Sequence, residues 1–184
     1  MSERTPGRGR YAKLERERRW LLGARPDDVV DPVEILDTYI AASTLRLREA
    51  RAGSTVTYKL GQKVREEPWR PSLARITNIY VTQGEFALLS RLGGATLAKS
   101  RWHWHVGARV FSVDVFRGHL SGLVLAELEL EQGDEGPPVF PPLAVAEVTD
   151  DDRFSGGRLA RFGPAEAQAL LAESAARIEA ATRD

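Results

Sequence analysis

Acidic and basic side chains alternate along one short stretch near the start of the chain, KLERERRWLL, residues 13–22. In a β-strand successive side chains point to opposite faces, so Glu15, Glu17 and Arg19 would share one face. Two carboxylates beside a guanidinium could hold a hard cation together with the phosphate group that the cation bridges. A solvent-exposed charged face is the simpler interpretation of the same pattern.

The bulk composition gives no reason to expect a polyanionic partner. The 184 residues contain 26 Lys plus Arg and 26 Asp plus Glu, so any electrostatic function requires local segregation of charge. The absence of cysteine excludes disulfides, thiolate nucleophiles and Cys-ligated zinc. No apolar run reaches about 18 residues and no signal-peptide segment is recognisable, so a cytoplasmic protein without a membrane partner is expected.

The length fits one domain, which we expect over residues 11–184 after a flexible tail at residues 1–10. Alternating apolar and polar residues predict strands at 12–22, 44–50, 54–64, 74–82, 95–106, 108–118 and 122–132. Helices are predicted at 82–94, where Thr82 and Glu85 have capping-box spacing, at 164–184, and briefly after Asp31 and Pro32. Residues 133–142 are expected to form a proline-rich loop and residues 143–163 an irregular segment.

The short connections between the strands indicate antiparallel pairing, in a sheet, sandwich or barrel with flanking helices. Several strands carry charges of one sign on one face. The basic residues are Arg46, Arg48, Lys59, Lys99 and Arg101, and the acidic residues are Glu15, Glu17, Asp114, Glu127 and Glu129. If the sheet closed, these charges would point inward, where burial is costly unless a metal ion and a polyphosphate compensate them. A half-solvated open sheet would also explain the alternation.

Six segments, in the same order, resemble motifs of the CYTH domain, or triphosphate tunnel metalloenzyme, family. They are ERERRWLL, LRLRE, TVTYKLG, AKSRWHWHVGARVFSVDVFRG, GLVLAELEL and EVTDDDRFSGGRLA, within about residues 10 to 160. The resemblance implies an α+β, mainly antiparallel fold, namely a closed eight-stranded β-barrel with flanking helices and a C-terminal helix. It also implies metal-dependent hydrolysis of a triphosphate by water attack on the terminal phosphate inside the barrel, with Mg²⁺ or Mn²⁺ as cofactor.

The resemblance assigns roles to individual residues. The implied catalytic residues are Glu15, Glu17, Arg19 and Glu129. The implied phosphate-binding residues are Arg19, Arg46, Arg48, Lys59, Lys99 and Arg101. The implied metal ligands are Glu15, Glu17, Asp114, Glu127, Glu129 and Glu147. Arg19 departs from the family's lysine, and arginine can clamp phosphate but cannot act as a base at ordinary pH. FSGGRLA also lacks the asparagines often seen in that segment, and TNIYVT is less charged than its usual counterpart.

Other functions stay open at this level. The substrate would be inorganic tripolyphosphate, thiamine triphosphate or a nucleotide, and nucleic acid is expected only as an RNA 5′-triphosphate end. A non-catalytic polyphosphate- or nucleotide-binding module and a class IV adenylate cyclase are the alternatives, while inward charges oppose a lipocalin-like apolar carrier. An exposed sheet edge would support a homodimer.

Histidines and tryptophans suggest two further sites. His103, with His105 and His119, could bind zinc, although surface histidines are the favoured interpretation. Three tryptophans could stack a nucleobase, although packing in the core is favoured. They are Trp69, Trp102 and Trp104.

Overall fold

A computed structural model describes residues 6–65, 72–131 and 140–183. Strands within these ranges are Lys13–Leu22 (β1), Val29–Ile40 (β2), Leu45–Ala52 (β3), Thr55–Arg65 (β4), Leu73–Val81 (β5), Gly94–Val106 (β6), Arg109–Phe116 (β7), Val124–Glu129 (β8) and Ala144–Glu147 (β9). Helices are Gln83–Leu89 (α1), Gly156–Leu159 (α2) and Pro164–Arg183 (α3), with 3₁₀ turns at Ser90–Leu92, Gly118–Leu120 and Asp152–Phe154. In these ranges no helix is long and apolar enough to cross a membrane.

Eight of the strands close into an antiparallel barrel. The strand order is β5-β4-β3-β2-β6-β7-β8-β1, and β5 pairs again with β1 to complete the ring. The first half of β1 pairs with β5, and its last residues pair with β9, which extends the same edge. The predicted closed eight-stranded barrel with flanking helices and a C-terminal helix is therefore confirmed.

Two of the predicted helices are confirmed and one is wrong. Thr82 caps α1 in a capping box with Glu85, and α3 covers the predicted C-terminal segment. The helix expected after Asp31 and Pro32 is instead part of β2, where the strand register shifts between Val30 and Val33. Proline lacks the N–H that a strand ladder needs, so here Pro32 marks a bulge and not a helix start.

Three other expectations meet the structure only partly. The segment expected to be irregular at residues 143–163 holds β9 and α2. Much of the proline-rich loop, Trp69 and the first five residues of the tail lie outside the described residues. The division into a tail and a single domain stays a prediction.

The inner face of β1 changes from charged to apolar along the strand. Glu15, Glu17, Arg19 and Leu21 share this face, and Leu21 joins an apolar cluster with Leu125 on β8. That cluster continues through α2 and α3, so one end of the barrel interior is filled with apolar side chains. The remaining interior is left for the charged residues.

A second apolar cluster covers the outer face of the neighbouring strands. Trp20 is fully buried and its ring lies 5.6 Å from that of Phe111 in an edge-to-face contact. Trp104 is also buried in this cluster, and Trp102 packs against it. Apolar packing on the outside explains how the barrel can turn its charged faces inward.

Truncation of the interior cluster is expected to destabilise the barrel. Leu125 is 1% exposed, so Leu125→Ala should lower the free energy of unfolding by about 2–5 kcal/mol, through lost burial and the cavity left behind. Leu88 on α1 is 61% exposed, and Leu88→Ala should change stability by less than about 0.5 kcal/mol. Urea denaturation of both variants measures the difference, and equal losses would contradict this assignment of the core.

Candidate active site

A cavity of about 600 Å³ occupies the charged part of the barrel interior. In the part of the chain that the structure describes, nine basic side chains line it: Arg19, Arg46, Arg48, Lys63, Arg65, Lys99, Arg101, Arg158 and Arg161. Four acidic side chains line it: Glu15, Glu17, Glu127 and Asp152. Among the described residues that line the cavity, basic side chains therefore outnumber acidic ones by five, although the chain as a whole is neutral. Such a cavity attracts a polyanion.

Strand β1 supplies the acidic side of the cavity. The guanidinium of Arg19 donates from Nη2 to Glu17 at 2.7 Å and from Nε to Glu127 at 2.9 Å. Burial by itself would lower the pKa of Arg19, but the carboxylates of Glu127 and Glu17 raise it above its ordinary value. Arg19 is therefore a fixed cation, held between two carboxylates and 5% exposed.

Lys63 lies between the carboxylates of Glu15 and Glu17 and partly neutralises them. Its ammonium lies 2.7 Å from Oε2 of Glu15 and 3.1 Å from Oε1 of Glu17. Burial alone would lower the pKa of Lys63, but Glu17 and Glu15 raise it. The pKa of Glu15 is raised, because burial outweighs the attraction of Lys63.

A buried network supports the basic wall on β6. Arg101 donates from Nε and Nη2 to the two oxygens of Asp114 at 2.6 and 2.7 Å, and it also bonds to Glu127. Lys99 donates to the same Asp114 carboxylate, which is fully buried. Burial opposes ionisation of Glu127, but Arg19, Arg101 and Lys99 hold its pKa well below the usual range. Asp114 thus orients two cations that face the cavity.

Asp37 orients the basic side chains of β3, as Asp114 does those of β6. Arg48 donates to its two carboxylate oxygens at 2.6 and 2.7 Å, while Arg46 lies farther away, at 3.8 Å. Burial would raise the pKa of Asp37, but the hydrogen bonds and charge of Arg48 lower it overall. Asp37 was not among the predicted site residues, although its position in β2 follows once that segment is recognised as a strand.

The Asp37–Arg48 pair has a pH signature. Because the folded pKa of Asp37 is lowered, its contribution to stability is present above its ordinary pKa of about 3.9 and is lost as the pH falls through the lower, folded value. Asp37→Asn should cost about 2–4 kcal/mol at pH 7, since Arg48 loses a buried charged partner. Chemical denaturation at pH 7 and under acid conditions measures this, and a loss that is independent of pH would contradict the pairing.

Eight of the predicted site residues line the cavity together. They are Glu15, Glu17, Arg19, Arg46, Arg48, Lys99, Arg101 and Glu127. Four others do not. Lys59 lies over the ring of Tyr80, with its ammonium 4.9 Å from the ring centroid, and Asp114 lies behind Lys99 and Arg101. Glu129 is exposed opposite Glu17 in the β1–β8 ladder, and Glu147 bonds to Arg18 and Thr149.

Lys63 is the most informative residue missing from the predicted set. It alternates in phase with Lys59 and Gly61 on β4, so the strand pattern placed it on the correct face. Lys63 pairs with Ile76 on β5, and Ile76 in turn pairs with Lys13 at the start of β1. Lys63 and the start of β1 are therefore separated by one strand only. Arg65 also lines the cavity and alternates in phase with Lys63 at the end of β4. Arg158, Arg161 and Asp152 line it as well, and no local pattern in the sequence singled these three out.

The glycines in FSGGRLA have a packing reason. A Cβ atom on Gly156 would lie 2.3 Å from the hydroxyl oxygen of Tyr39, which is far closer than such atoms approach. Tyr39 and Gly156 both line the cavity, so a glycine lets α2 approach the phenol ring closely. Burial, followed by the charge of Asp37, raises the pKa of Tyr39 and keeps its hydroxyl protonated.

The carboxylates that line the cavity supply oxygen atoms, which are the ligands that hard cations prefer. Within the described ranges, no three Asp, Glu, His or Cys side chains are grouped so as to hold a metal ion, and this includes the histidines considered for zinc. Glu15 and Glu17 nevertheless already share one cation, the ammonium of Lys63. A carboxylate pair that shares a cation in this way is compatible with Mg²⁺ or Mn²⁺, whose preferred ligands are oxygens.

Comparison with known proteins gives one relative and matching structures. An inorganic triphosphatase of Nitrosomonas europaea is 30% identical over 152 residues, which cover 79% of this chain and 96% of the relative. The crystal structure of the inorganic triphosphatase NE1496 matches with a TM-score of 0.57 at 26% identity, covering 82% of this chain and 96% of that one. A second crystal structure of NE1496 gives the same TM-score and covers 99% of its chain.

A scan against models of known protein families found no match. The relative is nevertheless aligned over most of both chains, and the barrel holds its charged cavity where the sequence motifs require one. The chain therefore belongs to the CYTH, or triphosphate tunnel metalloenzyme, family.

Proposed function

We propose that this chain is a metal-dependent triphosphatase that hydrolyses inorganic tripolyphosphate inside the barrel. The observation that carries the proposal is that, among the described residues lining one cavity of a neutral protein, basic side chains outnumber acidic ones by five. A linear triphosphate supplies several negative charges along one chain of atoms, which matches basic groups spread along a barrel wall. The relative named inorganic triphosphatase supports the same substrate.

The basic walls would bind and orient the phosphate groups. Arg46 and Arg48 on β3 and Lys99 and Arg101 on β6 face the cavity, and buried carboxylates behind them fix the direction of three of these side chains. Phosphoryl transfer depends mainly on positioning and on neutralising charge, so preorganised cations lower the barrier without a nucleophilic side chain.

The acidic side would hold the metal ion and the water. Glu15 and Glu17, with Glu127 beside them, would hold Mg²⁺ or Mn²⁺, and Glu129 would add a weaker ligand because it is exposed to solvent. The ion would supply charge neutralisation on the phosphate oxygens. One of the carboxylates would orient the attacking water toward the terminal phosphorus, and Arg19 would hold Glu17 and Glu127 in place.

Arg19 also favours a second candidate, a module that binds polyphosphate without cleaving it. An arginine fixed between two carboxylates cannot accept a proton at ordinary pH, whereas the lysine of the family motif is proposed to activate or position the water in some members. The two functions differ in turnover and not in binding.

Phosphate release separates these candidates. Tripolyphosphate, ATP and thiamine triphosphate are each incubated with the protein and Mg²⁺ or Mn²⁺, and again with a chelator. Release from tripolyphosphate that the chelator abolishes supports the hydrolase. No release, together with a higher melting temperature in tripolyphosphate, supports the binding module, and a product cyclised from ATP would instead indicate a cyclase.

A further inference from the structure

Three glutamates of the described residues line the cavity, and each is already bonded to a cation of the protein itself. Arg19 and Arg101 bond to Glu127, Arg19 also bonds to Glu17, and Lys63 bonds to Glu17 and Glu15. A divalent cation that approaches Glu15 and Glu17 therefore meets an ammonium group that occupies the same carboxylate oxygens. Like charges at such short distances repel strongly where solvent is partly excluded.

Lys63 differs from the arginines in how it is held. The side chain of Arg19 is 6% exposed and its planar fork bonds two carboxylates at once. The side chain of Lys63 is 38% exposed and ends in a single ammonium on a flexible stem, which can turn without breaking a fixed fork. Lys63 is therefore the internal cation that can leave the carboxylates at the smallest cost.

The surroundings of Lys63 offer it an alternative partner when substrate enters. It lines the same cavity as Arg46 and Arg101, which face the space proposed for the phosphate chain. A polyphosphate there presents oxygens with more negative charge than the carboxylate pair alone, and lysine binds phosphate oxygens as a point charge. Movement of the ammonium toward phosphate would uncover Glu15 and Glu17.

We infer that Lys63 is a positioning residue that occupies Glu15 and Glu17 until polyphosphate arrives and then transfers to the phosphate, so that polyphosphate and the divalent cation promote each other's binding. The inference rests on the proposed function and adds to it the order in which the cavity is filled. Because the coupling is thermodynamic, it is reciprocal. Removing the positive charge of Lys63 must have opposite effects on the two ligands. The cation should bind more tightly in the absence of polyphosphate, and polyphosphate should bind more weakly in the absence of the cation.

The test measures each ligand without turnover. Isothermal titration calorimetry follows MnCl₂ in the absence of phosphate, and then sodium tripolyphosphate in EDTA, for the wild type, Lys63→Met and Lys63→Arg. We expect Lys63→Met to bind Mn²⁺ at least about tenfold more tightly and tripolyphosphate at least about tenfold more weakly. Lys63→Arg retains the charge and should resemble the wild type in both titrations.

Lys59→Met is the matched control for loss of one lysine charge. Lys59 is on the same strand and in phase with Lys63, but its ammonium lies over Tyr80 and not between the carboxylates. Lys59→Met should leave the affinity for Mn²⁺, measured in the absence of phosphate, unchanged. Lys63→Gln provides a second neutral variant, and thermal unfolding in EDTA checks that every variant is folded.

A gain in Mn²⁺ affinity by a variant that unfolds at the wild-type temperature in EDTA is the decisive readout. Unchanged or weaker Mn²⁺ binding by both neutral variants would overturn the inference, and so would failure of both neutral variants to bind Mn²⁺. The proposed function is tested separately, since it stands or falls on whether the wild type releases phosphate from tripolyphosphate with metal and stops doing so with a chelator.

Discussion

Glu17→Gln is expected to reduce the kcat for tripolyphosphate hydrolysis by a hundredfold or more without raising KM. Glu17 is the carboxylate at the centre of the acidic side, since it accepts hydrogen bonds from both Arg19 and Lys63. Its loss would remove a ligand of the metal ion, and loss of one such electrostatic group commonly costs about 10²–10³ in rate. The cavity gains one net positive charge, so phosphate binding should be retained or strengthened.

Steady-state kinetics that separate kcat from KM are the measurement, because the two parameters are expected to respond differently. Glu49→Gln is the matched control. Glu49 is a partly buried carboxylate on β3, with its side chain 21% exposed, that pairs with Arg51 and does not line the cavity. An undiminished kcat for Glu17→Gln, or an equal loss for Glu49→Gln, would count against the proposed acidic side. Glu129→Gln should fall between the two, because that carboxylate is exposed opposite Glu17.

Arg46→Met is expected to weaken tripolyphosphate binding by about tenfold to a hundredfold while leaving the fold intact. Arg46 lines the cavity and is the looser partner of Asp37, at 3.8 Å, whereas Arg48 holds that carboxylate with two close hydrogen bonds. A hydrogen bond to a charged group contributes about 1.5–3 kcal/mol, which corresponds to that range of affinity. Stability should change little, because Arg48 still neutralises Asp37.

Calorimetric titration of tripolyphosphate in EDTA gives the affinity, and urea denaturation gives the stability of the same variant. Arg51→Met removes an arginine from the same strand at a position that is 55% exposed and outside the cavity, so it controls for net charge. Any effect of Arg51→Met should shrink as salt is added, whereas that of Arg46→Met should largely persist, because screening weakens the attraction of exposed charges more than direct contacts. Equal effects of the two substitutions would mean that only the overall charge matters.

The sequence by itself determined which residues share a strand face. Alternation has a period of two and is set by local backbone geometry, so the common face of Glu15, Glu17 and Arg19 could be predicted without any knowledge of their neighbours. The same reasoning identified seven of the nine strands in the part of the chain that the structure describes, and residue spacing identified the capping box of α1. It failed at Asp31 and Pro32, because the same residue types can start a helix or form a bulge, and only pairing with β6 distinguishes the two.

Tertiary structure decided which of these faces meet and which charges pair. Lys59 and Lys63 are equivalent in the alternation of β4, but the register through β5 to β1 places only Lys63 against Glu15 and Glu17. Asp114 similarly lies on the predicted face, yet it is buried behind Lys99 and Arg101. The pairing of β5 with β1 that closes the barrel joins strands far apart in the sequence, so it depends on long-range packing and no local pattern encodes it.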